Sequence, residues 1–596
     1  MNNEILNRNE IPEEYTWRLS DLFESDDLWE NALAEGAKLS DRLCEFKGVI
    51  KDKETLLNAL ELSMEISEKL LRIYAFAKMH RDEDNSVGKY QAMTDRAMRT
   101  MTEVSSKEAF LEPEIIAIGK DKVMNWVSEC EKLSLYEHYL ENLFRESEHV
   151  LSPKEEAILA HTSEIGDAAG EIFEMWNHAD LKFDSIVDEN GNDIEVTHGR
   201  YAALLQSHDR RVRCDAFSAV YREYKKWENT LAATLSSNVK KTCYFANVRK
   251  YNSAIEMALG VDNISVDVYD NLISTIRKGL PALDEYLKLR KRVLDVDEVH
   301  LYDVYVPIVE TDERKYTFEE ARDLVLNAVK PLGEQYVSDM KRAFEDRWVD
   351  VYENRGKTSG AYSWGSNDVH PYVLLNFDGT LSDVFTLAHE MGHAMHSYYT
   401  NRNQPPIYKN YKIFVAEVAS TVNENLLMEY LLKNTDDKKF RAYLIGHRLE
   451  EFRTTVFRQT MFAEFEKTIH AAYENGESLT AEYLSDVYYK LNCDYMGGGA
   501  RIDEEIAMEW ARIPHFYSDF YVYQYATGYS AAVSLVDRIL NTDNGVDRYL
   551  EFLKSGDSDY PLNLLATAGA DLRTQEPILM ALNVFKNDLN ELKGLL

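Results

Sequence analysis

Three residues in one short stretch have the types and spacing needed to hold a metal ion and to hydrolyse a bond beside it. His389, Glu390 and His393 form the zinc-binding pattern HExxH. In an α-helix, the two histidines would project from one face on adjacent turns and could share one ion. The Glu390 carboxylate could then reach a metal-bound water without binding the metal, which is the position a general base needs. The pattern predicts either a zinc hydrolase centre or a chance match on a surface helix.

The residues around this pattern favour a helix. Ser382 and Asp383 can cap or favour its start. Gly392 is a poor helix former, which is tolerable where another part of the chain must approach closely. An apolar stripe runs beside the histidine face and consists of Val384, Leu387, Ala388, Met391 and Met395.

A catalytic zinc usually takes three protein ligands, so a third is needed. The run 414–430 is typical of a second amphipathic helix, and its Glu417 is our predicted third ligand. Glu424 lies seven residues later on the same face and is predicted to orient a ligand histidine. Each acid could instead be a solvated position. His396 lies about 10 Å along the helix axis from His389, so we predict a supporting, substrate-contacting or packed histidine and not a ligand.

At these two helices the sequence resembles the oligoendopeptidase F family, whose relatives include thimet oligopeptidase and neurolysin. The matching residues are HEMGHAMHS at 389–397 and FVAEVASTVNE at 414–424. Three further stretches are similar, so the resemblance runs nearly end to end: Tyr15–Phe23, Pro371–Glu390 and Arg512–Tyr529.

The resemblance implies a zinc endopeptidase that acts on short peptides and is built from helices around a deep channel. Matched position by position, it makes His389, His393 and Glu417 the ligands of one Zn²⁺ per chain. The same match makes Glu390 the catalytic glutamate.

The segment 513–529 is rich in tyrosine and supplies candidate hydrogen-bond donors. When water adds to a peptide carbonyl, negative charge develops on the oxygen, and neutral donors would stabilise it. Resemblance to the family's tyrosine-rich loop indicates His515 and Tyr525, then Tyr529. The better-studied relatives carry a further tyrosine three residues on, where this chain has Ala532. The division of labour among the donors therefore stays open.

A small β-sheet is predicted just before the HExxH helix. The run 369–377 has the apolar and aromatic content of a strand. In related zinc peptidases, an edge strand near the metal pairs with the substrate backbone. We assign that substrate-binding role to Gly360, Ala361, Tyr362, Ser363 and Trp364. The alternative is a structural hairpin packed on the metal helix.

Composition limits the class of protein and its partners. The net charge of −36 argues against nucleic acid and anionic membrane surfaces as partners. The five cysteines are scattered and odd in number, which is typical of free thiols in a reducing compartment. The first residues lack a basic region followed by an apolar stretch, and no apolar run approaches the roughly 20 residues of a membrane span. We therefore expect a cytoplasmic protein.

The predicted fold class is mainly α, with two lobes and a small sheet beside the HExxH helix. A chain of 596 residues should divide into at least two lobes. We place the boundary at 198/199, after a β-hairpin predicted at Asn190-Gly191. This gives an N-terminal helical lobe at 1–198 and a catalytic lobe at 199–596.

Two alternatives to an endopeptidase remain open. The same fold and ligands could serve a carboxypeptidase or dipeptidase, which would need a group that binds a terminal carboxylate or amine of the substrate. A non-catalytic, zinc-containing peptide-binding protein is the second alternative, although structural zinc sites normally have four ligands rich in cysteine. The sequence leaves the oligomeric state open.

Overall fold

The computed structural model describes residues 5–309, 314–365 and 369–596, and within these residues the protein is mainly helical. Short 3₁₀ and π turns join many of the helices. The α-helices are α1 (Asp26–Leu43), α2 (Lys53–Glu83), α3 (Gly88–Glu108), α4 (Leu111–Ile118), α5 (Lys120–Glu129), α6 (Glu131–Ser134), α7 (Glu137–Glu146), α8 (Pro153–Met175), α9 (His198–Leu205), α10 (Arg210–Lys226), α11 (Glu228–Val248), α12 (Ala254–Gly260), α13 (Val266–Val293), α14 (Phe318–Ala328), α15 (Glu334–Glu345), α16 (Leu381–Asn403), α17 (Ile413–Lys433), α18 (Lys438–Glu451), α19 (Arg458–Glu474), α20 (Ala481–Met496), α21 (Tyr523–Asn541), α22 (Gly545–Ser555), α23 (Pro561–Ala568) and α24 (Glu576–Leu595).

Two small sheets accompany these helices. Strands β1 (Ser185–Val187) and β2 (Asp193–Glu195) form an antiparallel hairpin in which Ile186 lies opposite Ile194. Gly191 takes the left-handed φ of +85° that the turn requires. The hairpin predicted around Asn190-Gly191 is therefore present.

The second sheet has the order β3-β5-β4 and lies just before α16 in the chain. Its strands are β3 (Val349–Asp350), β4 (Tyr362–Trp364) and β5 (Tyr372–Leu374). β5 runs parallel to β3 and antiparallel to β4. Because β4 pairs only with β5 among the described residues, one edge of β4 stays open for another strand.

The N-terminus of α16 is capped by Thr380 and not by Ser382. The Thr380 hydroxyl accepts from the backbone N–H of Asp383 at 3.2 Å, and the Asp383 carboxylate accepts from the backbone N–H of Thr380 at 2.8 Å. This reciprocal pair satisfies two backbone donors that the helix leaves open. The prediction that Asp383 favours the helix start is confirmed.

The chain divides into two compact units, each assembled from three segments. The predicted division at 198/199 stays a prediction, because packing alone does not say which segments fold independently. The first unit comprises Met1–Glu148, Glu313–Lys433 and Leu535–Ala570, and the second comprises His149–Asp312, Asn434–Ser534 and Asp571–Leu596.

In the first unit, the core of α1, α2 and α3 supports the three-stranded sheet. Trp29 of α1 is fully buried, and its indole N–H donates to the carbonyl of Ile73 on α2 at 2.8 Å. Tyr372 and Leu374 of β5 are buried in the same apolar cluster. The central strand is thereby fixed, and β4 is fixed through its pairing with β5. Along the described chain, no helix combines the length and apolar character needed to cross a bilayer.

Candidate metal centre

Helices α16 and α17 touch backbone to backbone, and Gly392 makes that contact possible. A Cβ atom at Gly392 would lie 2.6 Å from the carbonyl oxygen of Ala419 and 2.6 Å from the Cα atom of Ser420. Real Cβ atoms essentially never come so close, so only glycine fits without moving one helix. The contact lies one residue before His393 and three residues after Glu417, so it sets the distance between the two helices at the predicted ligands.

The three predicted ligands meet in an equilateral triangle. Nε2 of His389 and Nε2 of His393 are 3.2 Å apart, and each lies 3.2 Å from Oε2 of Glu417. In a tetrahedral zinc site with bonds of about 2.0–2.1 Å, neighbouring ligand atoms are separated by about 3.3 Å. The donor set and its spacing therefore fit Zn²⁺. About half of the Glu417 side chain is exposed, so this ligand is not fully enclosed by protein.

Glu424 contacts the other face of the first ligand. Its Oε1 lies 3.3 Å from Nδ1 of His389, so the second ring nitrogen of this histidine is directed at the triangle. Burial alone would lower the pKa of His389, but hydrogen bonds to Glu417 and Glu424 outweigh it and raise this pKa to about 10. The two carboxylates thus stabilise positive charge at His389, and a bound cation can supply that charge in place of a proton.

Glu390, which follows the first ligand histidine in the chain, is buried. Its side chain is 7% exposed, and its Oε2 has no partner among the described residues. Burial raises the pKa of its carboxyl, although the nearby His389 and His393 oppose this effect. Burying a carboxylate oxygen without a hydrogen bond costs folding free energy. This atom is therefore available for a small polar partner such as water.

In the second unit, the structure brings two of the three predicted donors together. The Tyr525 hydroxyl and Nε2 of His515 are 3.3 Å apart, and the Tyr521 ring is 5.5 Å from the Tyr525 ring. Tyr529 lies one helical turn after Tyr525 on α21, and its hydroxyl donates to Glu451 at 3.4 Å. Burial lowers the pKa of His515, so its ring is neutral at neutral pH. A neutral imidazole and a phenol are suitable hydrogen-bond donors.

The chain is similar to known peptidases along its whole length. Residues 203–584 match the profile described as Peptidase family M3, and residues 114–183 match the one described as Oligopeptidase F. Oligopeptidase PepF of Bacillus subtilis is 49% identical over 100% of this chain and 89% of its own. The chain belongs to peptidase family M3. Group B oligopeptidase PepB of Streptococcus agalactiae is 42% identical over 99% of this chain and 98% of its own.

Solved structures of similar peptidases agree with this assignment. A peptidase from Chlamydophila abortus superposes with a TM-score of 0.95 at 36% identity, covering 100% of both chains. Oligoendopeptidase-F from Enterococcus faecium gives a TM-score of 0.73 at 38% identity, covering 96% of this chain and 98% of its own. The predicted family, the mainly helical fold class and the predicted identity as a zinc metallopeptidase are confirmed.

Two polar residues that support the metal centre of this M3 peptidase were not predicted from the sequence. The Ser420 hydroxyl donates to Oε2 of Glu417 at 3.0 Å and so holds the third ligand. Nδ2 of Asn423 donates to the carbonyl oxygen of Ala388 at 3.2 Å, which ties α17 to the chain one residue before His389. Ser420 lies one helical turn after Glu417, so this contact could have been predicted from the sequence. No sequence pattern indicates the contact between Asn423 and Ala388.

His396 is packed in the interior of the peptidase. It is 1% exposed, and its ring stacks on Tyr411 with centroids 3.9 Å apart. Phe552 contacts its ring at 5.2 Å. Burial lowers the pKa of His396 to about 3. Of the three predicted possibilities, the packed histidine agrees with these contacts.

The predicted substrate strand of the peptidase lies against α16. A Cβ at Gly365, directly after β4, would lie 2.7 Å from Cβ of Ser397. Within the strand, the Tyr362 hydroxyl donates to Asp82 at 2.8 Å, while the Ser363 hydroxyl has no partner among the described residues. Five predicted residues line this segment and are at most partly buried: Gly360, Ala361, Tyr362, Ser363 and Trp364.

Proposed function

We propose that this M3 peptidase cleaves internal bonds of short peptides with one Zn²⁺ per chain, held by His389, His393 and Glu417. The observation that carries the proposal is the triangle of ligand atoms with 3.2 Å sides. Relatives named oligopeptidase and oligoendopeptidase support peptides as the substrates. Glu424 would keep His389 in the tautomer that leaves Nε2 free to bind metal.

The bound metal and Glu390 would divide the chemistry between them. When bound, Zn²⁺ supplies Lewis acidity, which lowers the pKa of a water molecule and polarises the peptide carbonyl. Glu390 would accept a proton from the attacking water through its unpartnered Oε2 and pass it to the leaving amine. Its raised pKa supports this role, because the protonated acid is then stable enough to persist until the amine departs.

Two further groups would act on the substrate. His515 and Tyr525, 3.3 Å apart, would donate hydrogen bonds to the carbonyl oxygen as negative charge develops on it, with Tyr529 as a third donor. The open edge of β4 would pair with the substrate backbone, which gives affinity with little dependence on sequence. We also propose a cytoplasmic location, which is supported by five cysteines that are all free thiols.

The test is hydrolysis of an internally quenched peptide of about eight residues with both ends blocked, together with a measurement of bound zinc. Glu390→Gln should keep its zinc and lower kcat/KM by about 10²–10⁴-fold, the usual contribution of a general base. Glu345→Gln, which removes an exposed carboxylate of α15, is the matched control and should behave as wild type.

Three other outcomes would contradict the proposal in different ways. If the wild type cleaves only peptides with a free end, the enzyme is a carboxypeptidase or dipeptidase. If wild type and Glu390→Gln hold equal zinc and neither cleaves, the chain is a binding protein. If zinc is measured at another ratio than one per chain, the metal stoichiometry is wrong.

A further inference from the structure

One face of helix α11 carries a row of buried polar side chains that the proposed chemistry does not use. Thr234, Asn238 and Thr242 follow each other at intervals of four residues, so they lie on one face of the helix. Their exposed fractions are 8%, 1% and 4%. Buried polar groups destabilise a fold unless they are hydrogen-bonded. The partners of these three side chains therefore show which part of the chain the row holds. We call these three residues the α11 ladder.

Every member of the α11 ladder bonds to the loop 514–522, which we call the donor loop because it contains His515 and leads into α21 with Tyr525. The Thr234 hydroxyl lies 2.8 Å from the hydroxyl of Tyr517. Nδ2 of Asn238 donates to Oδ1 of Asp519 at 2.8 Å. The same amide donates to the carbonyl of Phe516 at 3.3 Å, and the Thr242 hydroxyl donates to Oδ2 of Asp519.

Helix α19 holds the same loop from a second direction. Oε1 of the buried Glu466 accepts from the backbone N–H of Phe520 at 2.7 Å, and Nε2 of His470 lies 3.4 Å from Oδ1 of Asp519. Phe520 has a φ of +56°, a left-handed conformation that is unusual for a bulky residue. Such strain persists only where the surroundings determine the backbone, and it is concentrated at functional sites.

The segment between the two proposed donors is therefore held at four residues, through the backbone of Phe516 and Phe520 and through the side chains of Tyr517 and Asp519. We propose that Thr242 and the other members of the α11 ladder are positioning residues, which hold the donor loop so that His515 and Tyr525 present their hydrogen-bond donors together. This inference rests on the proposed function, since it assumes that these two residues stabilise the reacting carbonyl. Stabilisation of this kind depends on donors that are already in place before the reaction.

Replacing the ladder threonines one at a time tests the inference. Thr242→Val keeps the shape of the side chain and removes the hydroxyl, whereas Thr242→Ser keeps the hydroxyl. With the end-blocked octapeptide, Thr242→Val should lower kcat by about tenfold or more, because small misplacements of catalytic groups are costly, and should leave KM within about twofold. Thr242→Ser should keep kcat within about threefold of wild type. Thr234→Val should lower kcat in the same way.

The matched control is Thr468→Val on α19, whose hydroxyl donates, among the residues that the structure describes, only to the carbonyl of Glu464 on its own helix at 2.7 Å. It should leave kcat unchanged. Zinc content and melting temperature are measured for each variant, so that a loss through unfolding is recognised. In the double variant, adding Thr242→Val to Tyr525→Phe should lower kcat less than Thr242→Val does alone, because the donor that the ladder positions is already missing.

The outcomes separate the inference from the proposed function. If Tyr525→Phe and His515→Gln each lower kcat but both ladder valines match Thr468→Val, the ladder inference is overturned and the donors stand. If the losses of Thr242→Val and Tyr525→Phe multiply fully, the ladder does not act through the donor and the inference fails. If Tyr525→Phe and His515→Gln leave kcat unchanged, the donor role and the inference both fail.

Discussion

Replacing Gly392 with alanine should move the third ligand, Glu417, away from His389 and His393. The new Cβ would lie 2.6 Å from the Ala419 carbonyl oxygen and 2.9 Å from the Ser420 backbone nitrogen. Van der Waals contacts are comfortable from about 3.5 Å, so the two helices must separate by about 0.9 Å. These neighbours are backbone atoms within α17, so a side-chain rotation cannot relieve the clash.

The separation is large compared with the tolerance of a metal site. Glu417 Oε2 lies 3.2 Å from both histidine nitrogens, and a shift of about 0.9 Å exceeds the roughly 0.2 Å over which zinc–ligand distances vary. We expect zinc affinity to fall by about 100-fold or more, the upper range seen when only an outer partner of a ligand is removed. Overpacking of the metal-free protein should cost about 1–3 kcal/mol in addition.

Competition with a chromogenic chelator measures the zinc affinity, and thermal unfolding in excess chelator measures the packing cost separately. Gly199→Ala is the matched control, because it adds a Cβ within helix α9 with no atom inside 4 Å. If Gly392→Ala binds zinc as tightly as Gly199→Ala, the conclusion that backbone contact sets the ligand spacing is refuted, whatever happens to the melting temperature.

Two other residues near the metal centre give sharp expectations. Glu424→Gln should weaken zinc binding by about 10–100-fold in the chelator assay, because it removes the charge that orients His389; unchanged affinity would show that the contact is incidental. His396 stays neutral in the fold because burial lowers its pKa to about 3, but it takes up a proton near pH 6.5 when unfolded. The free energy of unfolding should therefore fall as the pH drops from 6.5 towards 3, by about 2 kcal/mol at pH 5 from this group. In urea unfolding with excess chelator, His396→Phe should lose less stability than wild type between pH 7 and pH 5, and equal losses would contradict this account.

Much of the metal centre could be predicted because it is encoded in consecutive residues. The period of an α-helix alone places His389 and His393 on one face. It also places Ser420 one turn from Glu417. Gly392 indicated a close neighbour, and the backbone of α17 is that neighbour. The third ligand lies on a different helix, and Glu417 was predicted from the amphipathic pattern of 414–430 and then supported by the resemblance to a family.

Contacts between distant segments were invisible in the sequence. In the chain, Asp519 lies 281 residues from Asn238 and 277 residues from Thr242, and neither stretch contains a pattern that pairs it with the other. Arg213 shows the same limit: a basic residue on an amphipathic helix is normally solvated, yet here it is 3% exposed and donates to the buried Asp303 at 2.8 Å. Local spacing determined which side chains share a helix face, and with it the identity of the metal site. Only the tertiary structure decided how far apart the two metal helices lie, which loop the polar row of α11 holds and which strand edge stays open, because these depend on packing between segments that the sequence does not place next to each other.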